Sequence, residues 1–147
     1  MKLKFLLFLT VLQLSFSSCA TYYDHYTFTE TLATQVMTRA LIEKANTPFA
    51  ENALSVEALQ QQLKKMMQYE TLKNKDAIMQ KMWQQLNRDN SALQNFIKTW
   101  EAQGTMSQPF IDEFAPQISK QFDLMVTYES KKDRKTGDAL LSLLKVN

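Results

Sequence analysis

The chain has one cysteine, Cys19, and one histidine, His25, and these two residues limit its chemistry. A single histidine leaves no His pair for zinc, no paired Glu-x-x-His for a di-iron bundle, and no Cys nucleophile with a His base. His25 therefore reads as a polar linker residue. Carboxylates are the next candidates: Asp112 and Glu113 are neighbours, with Glu70 and Asp76 further back. Acid/base work needs two carboxyls at a set separation, with their pKa values pushed apart. Side chains at i and i+1 of a helix point in different directions, so these acids read as solvated surface. Met66-Met67 and Met79-x-x-Met82 offer thioethers suited to Cu(I), but they lie on apolar stripes, where Met is an ordinary gap-filler. Lys131-Lys132-Asp133-Arg134-Lys135 is a basic run and is expected at a solvated helix end, where cations favour the dipole. No catalytic site, metal site or cofactor is expected.

Cys19 has a different context. Lys2 and Lys4 precede the apolar run Phe5 to Leu14, and Ser15, Ser17 and Ser18 lead into the cysteine. A positive start, an apolar middle and a small-residue cleavage region are the parts of an export signal. The apolar run is too short for a transmembrane helix, which needs about 20 such residues. Residues 1–18 are read as the signal, residues 19–27 as a linker and residues 28–147 as one domain. Cleavage after Ala20, at the A-x-A-like Ser18-Cys19-Ala20, is a competing outcome in which the cysteine is lost.

The segment Leu14-Ser15-Phe16-Ser17-Ser18-Cys19 resembles the lipobox of bacterial lipoproteins, with Phe16 where that family most often has Leu. The resemblance implies a thioether-linked diacylglycerol on Cys19, cleavage just before it, and often an acyl group on the new amino terminus. The whole arrangement is similar to small envelope lipoproteins of Bacteroidota, and the absence of Asp from Cys19-Ala20-Thr21 implies the outer membrane, facing the periplasm. Lipidation would also explain an odd cysteine in an exported chain.

Charge has to be recounted after processing. The full chain carries +2 and a pI near 8.6, but removing residues 1–18 takes Lys2 and Lys4 from the 17 bases and nothing from the 15 acids. The remaining chain is neutral by side-chain count, which removes the case for nucleic acid as a partner.

Two glycines and three prolines among abundant Gln, Lys, Leu, Met, Ala and Glu predict an all-α body. The first helix is expected from Phe28 to Asn46, with Phe28, Leu32, Val36, Ala40 and Leu41 facing the core, and a break at Pro48. Ser55 is a candidate N-cap for the second helix, with Glu57 in its first turn. Residues 75–103 fit one long helix or a pair divided at Asp89-Asn90-Ser91, and Gly104 suits the position after the end. Ser107 and Pro109 open a helix that continues through Pro116, and Asp138 is the candidate cap of a short last helix. Short connections between one-faced helices imply a single antiparallel bundle of four to five helices, with no fixed repeat.

Tyr22, Tyr23, Tyr26 and Phe28 follow the lipobox closely. Tyr22 and Tyr23 are the candidate membrane-interface contacts, while Tyr26 and Phe28 suit either the interface or the start of the core. About nine residues from Cys19 to Phe28 span roughly 30 Å at most, so the body must sit close to the bilayer. The expected function is a non-enzymatic interaction or scaffold protein, held to the membrane by lipid on Cys19 and bound to another envelope protein. Alternatives are an immunity or inhibitor lipoprotein acting on an exported toxin, and a carrier of an apolar ligand between helices near Trp83, Phe96, Trp100 and Phe122.

Overall fold

Asp24 starts the first helix. Its carboxylate accepts from the backbone N–H groups of Tyr26 and Thr27 at 2.9 and 3.2 Å, satisfying donors that the first turn leaves open. The computed structural model describes residues 23–144, and in it α1 runs His25–Glu43. The helix thus begins before the expected Phe28, and Tyr23 to Thr27 belong to its cap and first turn instead of a linker. Residues 1–22, with the expected signal, Cys19 and Tyr22, lie outside the described residues.

α2 spans Phe49–Lys73 with Pro48 as its N-cap, so Ser55 and Glu57 are interior, exposed positions and not the cap and first turn expected of them. The reason is tertiary. The Phe49 N–H, open at a helix start, donates to Gly104 O at 2.7 Å, and Met106 N–H donates to Ala45 O at 2.9 Å in the same pair of loops. α3 (Ala77–Leu86) is capped by Asp76 and α4 (Ala92–Gln103) by Ser91, whose Oγ accepts from Gln94 N–H at 3.1 Å. The divided alternative for residues 75–103 is therefore the one observed. Gly104 ends α4 at φ 79°, a conformation that suits a residue without Cβ.

α5 runs Gln108–Lys131 without a break at Pro116, and α6 runs Arg134–Leu143. Asp133, not Asp138, caps α6, accepting from Thr136 N–H at 2.8 Å. Lys132 takes the left-handed conformation (φ 50°) and ends α5, which places the next residue, Asp133, at the N-cap. Among the described residues there are six helices and no strand, so the body is all-helical. None of these helices is long and apolar enough to cross a membrane.

Met66, Met79, Met82, Trp83, Trp100 and Phe122 are at most 1% exposed and form the centre of the core. α1 packs on both α2 and α5, α3 packs on α2, and α6 on α5. The α1/α2 pair is antiparallel: Thr27 bonds Glu70, Glu30 bonds Lys65, and Thr34 bonds Gln62.

α1 faces the opposite way from its hydropathy. Of its expected core stripe only Leu41 is fully buried, while Leu32 is 41% and Val36 60% exposed and Ala40 is exposed. Thr27, Thr31, Thr34 and Thr38 face inward instead, with Gln35. Thr31, Thr34 and Thr38 donate to the carbonyls of Thr27, Glu30 and Thr34 at 2.6–2.8 Å. Back-bonded in this way, each hydroxyl is satisfied and the methyl group is presented to the neighbouring helix.

Candidate functional site

Two clusters of buried charge tie the helix ends together. At the end of α2, Lys73 Nζ donates to Glu70 Oε1 at 2.7 Å, to Thr27 Oγ1 at 2.9 Å and to Asp24 Oδ2 at 3.1 Å. Tyr69 O–H donates to the same Asp24 oxygen at 2.9 Å, and the Lys73 ammonium sits 5.3 Å from the Tyr69 ring centroid. At the end of α5, Lys132 Nζ donates to Asp76 Oδ2 at 2.6 Å and to Glu129 Oε1, with the Tyr128 ring 4.7 Å below it. Tyr128 O–H makes a longer contact, 3.4 Å, to Asp76 Oδ1.

The clusters have the same construction. Tyr69-Glu70-x-x-Lys73 and Tyr128-Glu129-x-x-Lys132 each finish a long helix of 25 or 24 residues, and a left-handed residue, Asn74 or Lys132, closes each helix. A 10-residue helix opened by an aspartate follows in both cases. Each Tyr and Lys bonds the aspartate that opened its own half: Asp24 before α1 for the first, Asp76 before α3 for the second. This local duplication was not picked out in the sequence reading. Its signal was short, a Tyr-Glu-x-x-Lys written twice with an aspartate soon after, and 54 residues separate the two copies.

Burial sets the electrostatics. Glu70 and Glu129 are 0% exposed and Asp76 6%, so the reading of Glu70 and Asp76 as solvated surface is overturned. Lys132 is nearly buried too, so the basic run is not wholly a solvated helix end. Burial pushes the Glu129 carboxyl up to about 7; the hydrogen bond and charge of Lys132 oppose this, Asp76 adds to it, and Lys73 lowers it from the other cluster. Burial also raises Asp24, but the Thr27 N–H, Lys73 and Tyr69 outweigh it and hold this carboxyl at about 2. Both phenols are raised, by burial first and then by their aspartates. Glu70 Oε2 and Glu129 Oε2 make no hydrogen bond among the described residues.

A carboxyl that titrates near neutrality beside a lysine and a phenol has acid/base capacity. In this fold it is sealed by side chains, and its bonds run to helix ends. Open clefts lie elsewhere. One of about 720 Å³ between α3 and α6 is lined by Lys81, Gln84, Arg88, Asp138, Leu141 and Leu144, and Gln84 and Arg88 also line a groove with Lys64 and Asn87. Lys64, Lys81 and Arg88 make no ion pair among the described residues.

No family model, curated protein or solved structure matches the chain.

The other sequence candidates are dispersed. Asp112 and Glu113 are exposed on α5, with Gln108 bonded to Asp112. Tyr23 is 45% exposed beside Phe28 and His25, and Tyr26 packs on Tyr69. Met67 is partly buried against the core. Among the described residues no three His, Cys, Asp or Glu side chains gather as a metal site. Trp83, Phe96, Trp100 and Phe122 pack within the core, Trp100 Nε1 donating to Thr47 O at 3.0 Å.

Proposed function

We propose that this chain is a lipid-anchored interaction protein of the bacterial envelope, a single antiparallel bundle that binds another envelope protein and performs no chemistry of its own. The observation that carries this reading is how the ionisable side chains are used. The two Tyr-Glu-x-x-Lys clusters hold the most deeply buried charges of the body and apply them to fastening helix ends, which makes a rigid platform. Three of the cations that make no ion pair among the described residues, Lys64, Lys81 and Arg88, lie on one side of the molecule beside Leu141 and Leu144. Unpaired cations next to aliphatic side chains suit an acidic, partly apolar segment of a partner.

The anchor is Cys19, with Phe16 in the lipobox, and the outer membrane facing the periplasm is the proposed location. Intact mass and fractionation test the anchor: the mature protein should carry the mass of a diacylglyceryl cysteine, and Cys19→Ala should leave the membrane fraction. In-cell crosslinking followed by mass spectrometry tests the partner. One protein should be recovered with wild type and lost with Arg88→Glu/Lys81→Glu. Equal recovery with both chains refutes the assigned surface, and no specific partner refutes the interaction reading.

A further inference from the structure

The outward face of α1 is apolar through its middle turns, with the charged Arg39 and Glu43 exposed only in its last turns. Thr29, Leu32, Ala33, Val36 and Ala40 are exposed along it, with Met37 at its edge, while the threonines of the same helix are buried. The patch continues onto α2. Met37, Ala40, Lys44, Ser55 and Ala58 line a shallow groove between the two helices, and Leu54, next to Ser55, is 82% exposed. Between Thr27 and Thr38 this helix has its threonines inside and its aliphatic residues outside, which is not an arrangement for water on that side.

We infer that this face lies on the bilayer, with α1 parallel to the membrane surface. The inference rests on the lipid anchor proposed above, and the chain's own geometry carries it from there. The described structure begins at Tyr23 and its first helix at His25, so only residues 20–24 separate the anchor from α1. Five residues reach about 18 Å when fully extended, less than the roughly 30 Å estimated from sequence. α1 is 19 residues, about 28 Å, long, and its N-terminal end is therefore held within one short tether of the headgroups. Laying the helix down covers Leu32, Val36 and Ala40 together. Standing it up leaves all three in water.

The composition of the patch favours lipid over protein. It is mostly aliphatic and small and has no Trp, and its one Arg, Arg39, is turned to Asp123 at 2.6 Å, so it lacks the free anchors that dominate protein interfaces. Its aromatic residues, the half-exposed Tyr23 and Tyr26, are at the tethered end, where rings with a polar tip belong in the headgroup layer. The cationic side with Lys81 and Arg88 is built from α3 and α6, neither of which packs on α1, and it stays available to a partner.

The test uses the full lipidated chain in vesicles of phosphatidylethanolamine and phosphatidylglycerol. With Cys19 in a thioether, Val36→Cys carries the only free thiol and takes a single spin label. Leu54→Cys is a second probe on the patch, and Glu101→Cys, exposed on α4, is the reference. Collision with oxygen should exceed collision with a water-soluble nickel chelate at positions 36 and 54, and the order should reverse at 101. Equal nickel access at all three sites overturns the inference. Exclusion of both reagents at 36 and 54 overturns it in favour of contact between copies. The intact mass of the same samples reads the anchor separately: a lipidated chain with water-exposed labels refutes only the docking face, and an unlipidated chain refutes the anchor and this inference with it.

Discussion

Replacing Glu129 with glutamine should change how stability depends on pH more than it changes the fold. Glu129 is fully buried, and its carboxyl is raised from 4.5 to about 7, burial being the main cause. In the unfolded chain the group ionises near 4.5. The native state therefore holds the proton more tightly, and stability is lost as pH rises from the unfolded value through the folded one. Below about pH 4.5 the group is neutral in both states and costs nothing. Above 7 it is charged in both, and the native state bears the full penalty. At about 1.4 kcal/mol per pKa unit the penalty is roughly 3 kcal/mol, of which roughly 2 kcal/mol develops between pH 5 and 8. Glu129→Gln keeps an acceptor for Lys132 and removes the titration. Urea unfolding at pH 5, 6, 7 and 8 should show the wild-type midpoint falling across this range by about 1 M relative to the variant. Parallel curves for the two proteins would show that Glu129 is not a buried titrating group, and the account of the second cluster would fail with it.

Asp24 has the opposite sign: its folded value of about 2 lies below the ordinary 3.8, so its contribution of about 2 kcal/mol is present above pH 4 and lost as pH falls through 2. Asp24→Asn should therefore flatten the acid limb of the unfolding profile. Lys73→Met leaves Glu70 and Asp24 without their cation and should cost about 3–5 kcal/mol by chemical denaturation, while Lys73→Met with Glu70→Leu should recover most of it. A double variant no better than the single one would exclude stranded charge as the cause. Ser91→Ala removes the cap that divides α3 from α4 and should cost about 1 kcal/mol without changing helix content by circular dichroism. Thr38→Val deletes a hydroxyl bonded only within its own helix and should move the melting temperature by less than a few degrees, where Thr38→Lys should unfold the chain.

Much of the helical order could be read directly from residues. Gly104 as the end of α4, Pro109 in the first turn of α5, and the Met and Trp stripes of α3 and α4 depend on neighbours within one or two turns, and local rules reach that far. The element starts that were missed depend on distant groups. Phe49 can open α2 because Gly104 supplies its acceptor, and Asp133 becomes the cap of α6 because Lys132 turns left-handed while fastened to Asp76. The charged clusters were hidden for the same reason. Glu70 and Glu129 have the spacing of ordinary surface acids, and their burial follows from aspartates 45 to 56 residues away from the Tyr and Lys that bind them.

α1 divides the two kinds of information most sharply. From Thr27 to Leu41 two stripes recur at helical spacing, one of threonines and one of Leu32, Val36 and Ala40, and hydropathy alone selects the second for the core. The sequence by itself determined that this segment is a helix, because period and propensity are properties of the segment. The tertiary structure decided which stripe faces inward. A threonine bonded back to its own helix can be buried at little cost, and α2 and α5 together offer α1 an inner surface edged by Glu70, Gln62 and Asp123, which bond Thr27, Thr34 and Gln35. A choice made by partners on two other helices is not written in any one of them.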